Sequence, residues 1–201
     1  MTPGVINYTP HMSRWEPNAR ERLERASLEL FAERGYDAAT VAEIAERAGL
    51  TKRTFFRHFA DKREVLFGGQ EILCRLLVDG IIGADDSATA LGMIAAALNA
   101  VAPMFAQERL ELVRRRQAII AAQQDLRERE LLKGATLTAA MADGFRERGV
   151  PEPIASVAAE LGHLAMRMTF ARWAAPGNEA KFGEFIEEVL GELKTATAAL
   201  G

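Results

Sequence analysis

Apolar residues recur along this chain at spacings of three and four, and no useful length alternates with the period of two that a strand needs. Leu23, Ala26, Ser27, Leu30 and Phe31 form one stripe, with Arg20, Glu21, Glu24, Arg25 and Glu29 on the opposite side. The spacing predicts an amphipathic helix that begins near Pro17 and stops at Gly35. Thr40 followed three residues later by Glu43 is a capping box, and Val41, Ile44, Ala45 and Ala48 make the apolar face of a helix that Gly49 ends after about two turns. Thr51 then offers an N-cap to a second short helix carrying "KRTFFRHF". Two short helices joined by a glycine turn, behind a longer supporting one, make a helix-turn-helix over residues 40–59.

After Asp61 the pattern predicts a longer helix through "KREVLFGGQEILCRLLVDGII". Gly68 and Gly69 would lie inside it, at a cost of roughly 1 kcal/mol each relative to alanine. Close approach of neighbouring helices and a kink both fit them. Further helices are expected at about 86–106, 108–122, 124–148, 152–174 and 178–199, with breaks at Gly83, Gln123, "RGVPEP" and "APGN" and a bend or stop at Pro103. Residues 1–13 lack periodicity and read as a flexible arm. The expected architecture is all-α with about nine helices: a three-helix N-terminal domain over 17–77 and a larger helical domain over 80–201. In the last two helices, Ile154, Val157, Ala158, Leu161, Ala165, Met168 and Ala171, then Phe182, Phe185, Ile186, Val189, Leu190 and Leu193, suit a four-helix bundle with a twofold mate. A homodimer through 152–174 and 178–199 is therefore expected.

Composition narrows the choice of function. Hydrophobic residues make up 49% of the 201 positions, enough for a sizeable core. No run reaches the roughly 18 apolar residues of a membrane-spanning helix, and the N-terminus lacks a signal-peptide pattern, so a cytoplasmic protein without membrane contact is expected. The single cysteine, Cys74, cannot build a disulfide framework or a multi-cysteine zinc site; it reads as a small buried side chain, with a redox role as the alternative. The three histidines, His11, His58 and His163, adjoin no nucleophile motif and no cluster of metal ligands. No catalytic residue, metal or cofactor is expected.

Charge distribution says more than the formal net charge of -3. Arg47, Lys52, Arg53, Arg57, Lys62 and Arg63 crowd one short stretch with one acidic residue, Asp61, while the rest of the chain holds 19 basic and 27 acidic residues. Within it, Phe55 and Phe59 share one side of a helix and Lys52, Arg53, Phe56 and Arg57 point elsewhere. Such a helix is anchored by its aromatics and presents cations to a DNA groove.

Residues 20–66, "RERLERASLELFAERGYDAATVAEIAERAGLTKRTFFRHFADKREVL", resemble the DNA-binding domain of the TetR family of bacterial transcriptional repressors. The resemblance runs in order through "LFAERGYDAATVAEIA", "AGLTK" and "TFFRHFADK". It implies that Thr40 touches a phosphate and that Thr51, Lys52 and Arg53, with Thr54 nearby, read bases. It further implies backbone contacts from Phe56, Arg57 and His58, and a phosphate contact from Lys62. Two departures stand out. Phe56 replaces the family's usual tyrosine, and Arg53 occupies a position often held by a small residue.

The resemblance implies a ligand-binding and dimerising domain beyond about residue 80. "ERLELVRRRQAII" and "DLRERELLKGATLTAAM" resemble helices of a TetR subgroup associated with acyl-CoA-like ligands. Met104, Phe105, Met141, Phe145, Met168 and Trp173, with Leu137, Met166 and Phe170, are bulky and adaptable enough to surround an apolar or amphipathic small-molecule effector, and plain core packing explains them as well. Arg114, Arg115 and Arg116 fit a solvated surface with partners such as Glu111, or an anionic ligand. His163 fits a core or interface position, or a ligand contact. The implied function is a homodimeric repressor released from a palindromic double-stranded operator by its effector. A helical protein-interaction adaptor is the alternative, and an enzyme a more distant one.

Overall fold

Asn18 opens the first helix, α1 (Ala19–Arg34), by accepting a hydrogen bond from the Arg20 N–H at 3.2 Å. The structure is a computed structural model and describes residues 18–200; the expected arm at 1–13 and the expected start at Pro17 lie outside the described residues. Gly35, at φ 84, ends α1. Two short helices follow, α2 (Val41–Arg47) and α3 (Lys52–His58). Every expected stripe residue of α1 is buried, and Ile44, Phe55 and Phe59 join them to form the core of this first unit.

The described residues divide into two compact units between Val65 and Leu66. At this junction the sequence expectation of one long helix after Asp61 fails. A single 3-10 turn, Glu64–Leu66, is followed by a break, and α4 (Gln70–Ile82) starts only after Gly69. Gly69 adopts φ 85, ψ -3, a left-handed conformation that glycine takes without steric cost, so the glycine pair breaks the helix.

The second unit continues with α5 (Ala90–Val101), α6 (Leu110–Ala122), α7 (Gln124–Glu147), α8 (Ile154–Trp173) and α9 (Glu184–Ala198). All elements among the described residues are helical, as the pattern requires. Two expected starts move. The helix expected from 86 begins at Ala90, where the Thr89 hydroxyl accepts from the Gly92 N–H. The one expected from 178 begins at Glu184, because Asn178 closes a loop on the Trp173 and Ala180 carbonyls. Pro103 sits in a 3-10 turn just past the end of α5.

Helices α4, α5, α7, α8 and α9 enclose one core that includes Leu98, Phe145, Trp173, Ile186 and Val189. α4 and α5 cross with almost no space between them: a Cβ on Gly80 would stand 2.6 Å from the Ala97 Cα. No single helix among the described residues is long and apolar enough to cross a membrane.

Candidate nucleic-acid interface

Each of the two short helices is started by its own threonine. The Thr40 hydroxyl accepts from the Glu43 N–H at 3.3 Å and donates to Glu43 Oε2 at 2.8 Å, while the same carboxylate accepts from the Thr40 N–H at 2.9 Å. Thr51 accepts from the Thr54 N–H at 3.1 Å, and the two hydroxyls are 3.0 Å apart. Between the helices, Gly49 turns the chain at φ 65, and Arg22 from α1 donates to the Ala48 carbonyl at 2.6 Å. A side chain on Gly49 would collide with that guanidinium, since its Cβ would come within 2.7 Å of Arg22 Nη2. The turn between α2 and α3 is thus fixed by the Gly49 backbone and by the Arg22 contact to the Ala48 carbonyl.

α3 buries Phe55 completely and is followed by the buried Phe59, their ring centroids 5.4 Å apart. The opposite face exposes Lys52, Arg53, Phe56 and Arg57. Arg53 and Arg57 are four residues apart and so stand one above the other on the helix.

The six basic residues of the island separate into two groups of three. Arg47 makes two hydrogen bonds to Glu33, at 2.6 and 2.7 Å, and Arg63 pairs with Asp61 at 2.8 Å. Lys62 turns inward. Its ammonium donates to the carbonyls of Tyr36, Asp37 and Ala39 at 2.6, 3.3 and 3.0 Å and lies 4.3 Å from the Tyr36 ring centroid. An ammonium has three N–H donors, so Lys62 is already fully engaged by the loop between α1 and α2. Lys52, Arg53 and Arg57 make no side-chain hydrogen bond or ion pair among the described residues, and all three lie on the exposed face of α3.

His58, for which the resemblance implies a backbone contact, is drawn inside. Its Nε2 is buried without a hydrogen-bond partner, and desolvation, then the nearby charges of Arg57 and Arg20, lower its pKa. Neutral imidazole is the form this site favours.

In the second unit, five of the six expected effector residues belong to one hydrophobic core: Met141, Phe145 and Trp173 lie within it, and Phe105 and Met168 pack against it. Phe105 and Trp173 meet at 5.6 Å in a cluster with Phe170 and Phe182, and the Phe105 and Phe182 rings stack at 4.3 Å. Met141 packs elsewhere, against Gly162, where a Cβ would stand 2.2 Å from its terminal methyl. Phe145 is fully buried, and Met104 and Met168 are half-buried. An apolar cavity of about 210 Å³ opens between α5 and α8, beside Leu91, Ile94, Ile154, Val157 and Leu161; none of the six expected residues lines it.

The three consecutive arginines have separate structural roles. Arg114 donates to the carbonyls of Ala174 and Ala175 at the end of α8. Arg115 pairs with Glu111 at 3.0 Å on the surface. Arg116 donates to the Leu66 carbonyl and pairs with Glu130 at 3.3 Å. His163 Nδ1 is 3.0 Å from the Thr138 hydroxyl, joining α7 to α8, and burial pushes the Cys74 thiol pKa up, away from reactive thiolate. No group of three potential metal ligands occurs among the described residues.

Of the apolar residues expected on this helix, Ile154 and Val157 lie on an outward face, and Leu164, which the grouping did not include, joins them. Ile154 and Val157 are 52% and 57% exposed, and Leu164 is 36% exposed, while Ala158 and Ala165 on the same helix are buried. α8 therefore carries two apolar faces. In α9, by contrast, Ile186, Val189, Leu190 and Leu193 all face the core, as does Phe182 just before it.

Comparison with known proteins agrees with this geometry. Residues 24–67 match the family described as "Bacterial regulatory proteins, tetR family". The HTH-type transcriptional regulator TcmR of Streptomyces glaucescens is 54% identical over 46 residues, which cover 23% of this chain and 20% of TcmR. The HTH-type transcriptional activator FasR of Mycolicibacterium smegmatis is 39% identical over 62 residues, 31% of this chain and 28% of FasR. The matched stretches thus span less than a third of these relatives' own length. Among solved structures, Thermus thermophilus FadR, a TetR-family repressor in complex with lauroyl-CoA, is similar over 87% of this chain and 92% of its own, with TM-score 0.54 and 26% identity. NalD of Pseudomonas aeruginosa, the secondary repressor of the MexAB-OprM multidrug efflux pump, shares the fold over 88% of this chain and 95% of its own, with TM-score 0.55 and 20% identity.

Proposed function

We propose, from the membership of residues 24–67 in the TetR family of bacterial regulatory proteins, that this chain is a homodimeric, sequence-specific DNA-binding repressor and not an enzyme. The observation that carries the reading is the division of the basic island: Arg47, Lys62 and Arg63 are held by the protein itself, while Lys52, Arg53 and Arg57 stand uncommitted on one face of α3. A rigid helix with free cations is what docking in a major groove requires. Arg53, with its forked guanidinium, suits a bidentate contact to guanine O6 and N7, and Lys52 and Arg57 suit phosphate oxygens. Thr40, Thr51 and Thr54 sit at the starts of α2 and α3, where their hydroxyls also lie within reach of the backbone. Lys62 contributes indirectly, by bracing the loop ahead of α2.

The exposed Ile154, Val157 and Leu164 support pairing of two chains across α8, and the expected share of 178–199 in the dimer has no exposed apolar face behind it. Two reading heads related by a twofold axis match an inverted repeat. The likeness to a FadR that holds lauroyl-CoA supports an apolar or amphipathic effector in the second unit. The cavity of about 210 Å³ is smaller than the roughly 300–1,000 Å³ of sites for drug-sized ligands. An acyl-chain effector then has to part the helices, and a ligand that favours the parted form over the DNA-bound form releases the operator.

Selection of bound duplexes from a random DNA pool tests the reading. An inverted-repeat consensus is expected. No enrichment by protein of intact helical content would contradict it.

A further inference from the structure

We propose that Phe56 reads the 5-methyl group of thymine in the operator, an inference that rests on the regulator reading above. Phe56 is 49% exposed at the middle of the α3 face that carries the free cations. Its ring is not loose. It stands edge-on to the fully buried Phe55, with centroids 5.6 Å apart at 83°, and the Lys52 ammonium lies 5.9 Å from its centroid. One side is thus fixed to the core and the other to a cation.

A phenyl ring has no donor or acceptor, so it cannot hold a phosphate oxygen or a polar base edge. Among the groups that bases present in the major groove, the thymine methyl is the apolar one. Lys52, beside the ring, supplies the charge that positions the helix on the backbone, and the ring is left to distinguish thymine from the other bases. Deoxyribose is the other apolar surface within reach, and the two partners are separable because uracil lacks the methyl while keeping every hydrogen-bonding group.

The experiment uses the full chain and the inverted-repeat duplex obtained by selection, with deoxyuridine replacing thymidine at one symmetric pair of positions at a time. At one such pair, affinity is expected to fall about fourfold per half-site, the factor set by burial of one methyl-sized group, or about fifteenfold for the whole duplex. The Phe56→Ala variant is expected to bind the thymine and uracil duplexes alike, with helical content unchanged, and Phe56→Leu to keep part of the discrimination. The proposal is overturned if no uracil position weakens binding of the unmodified protein, as contact with deoxyribose would give. It is equally overturned if Phe56→Ala discriminates as well as the parent. Absence of any consensus duplex would instead remove the regulator reading on which it rests.

Discussion

Arg116 of α6 donates from its Nε to the carbonyl oxygen of Leu66, fifty residues earlier in the chain. Its guanidinium also lies 5.3 Å from the Phe67 ring centroid and 3.3 Å from a Glu130 oxygen. One side chain thus ties α6 and α7 to the segment that begins the second unit. Desolvation lowers its pKa against the opposing pull of Glu130, but an arginine stays charged in a folded protein. Arg116→Met keeps an apolar stem and leaves the Leu66 carbonyl unpaired. The expected cost is about 2 kcal/mol, a fall of roughly 4–8 °C in melting temperature for a chain of this size. Thermal unfolding followed by circular dichroism checks this, and an unchanged midpoint would count against the role.

Lysines ten residues apart are expected to fail in different ways. Lys52→Ala removes an exposed cation that makes no hydrogen bond or ion pair among the described residues and only an exposed contact with the Phe56 ring. Stability therefore holds, and the salt dependence of operator binding becomes shallower by about one phosphate per half-site. Arg57→Ala behaves the same way. Lys62→Met removes the donor to three carbonyls and costs about 1–3 kcal/mol of stability with little change in salt slope. Measuring stability and salt slope on the same three variants separates a DNA contact from a brace; a shallower slope in Lys62→Met would return that residue to the phosphate backbone.

What the sequence disclosed and what it hid follow from the range of the interactions involved. The capping box of Thr40 and Glu43, the N-cap at Thr51 and the anchoring by Phe55 and Phe59 all depend on residues within one or two turns, and periodicity alone exposes them. Lys62 takes its partners from 23 to 26 residues away, and Arg116 and Arg114 from 50 and about 60. Nothing local distinguishes such a residue from a solvated cation. The glycine pair stands out in the sequence as a close approach or a kink, but the full break depends on the positive φ of Gly69, which the apolar pattern running past it does not show. The two apolar faces of α8 merge in sequence because Ile154 and Val157 neighbour Ala155 and Ala158. The expected effector residues illustrate the same limit: bulk and adaptability choose core positions and pocket positions alike.

Gly80 should tolerate nothing larger. Its Cβ would meet backbone atoms of Ala96 and Ala97 at 2.6 to 2.9 Å, and backbone cannot turn aside as a flexible side chain can. Gly80→Ala is expected to force α4 and α5 apart at a cost of about 1–3 kcal/mol, despite the gain in helix propensity. Denaturant unfolding measures the difference, and a more stable variant would show that the crossing is looser than described.

Acid should weaken the protein through its inward-facing histidine. The folded state holds the His58 pKa below its ordinary value, so the unfolded chain binds the proton more readily. Stability from this source is therefore complete above about pH 6.5 and is lost as pH falls through the lower, folded-state value. His163, also lowered by burial and then by Arg167, adds in the same direction. The difference between the parent and His58→Phe isolates the share of His58: the variant's stability should decline less between pH 7 and 5. Equal declines would show that His58 takes up its proton in the folded state without penalty.

Operator affinity as a function of salt tests the central claim most directly. Fluorescence anisotropy of the selected inverted repeat, and of a scrambled duplex of equal length, is measured at about 50 and 200 mM salt. The account predicts one dimer per repeat, tighter binding to the repeat than to the scrambled duplex, and a loss of at least a hundredfold between the two salt concentrations. Equal affinity for both duplexes, or an affinity that salt leaves unchanged, would contradict a reader that docks through Lys52, Arg53 and Arg57.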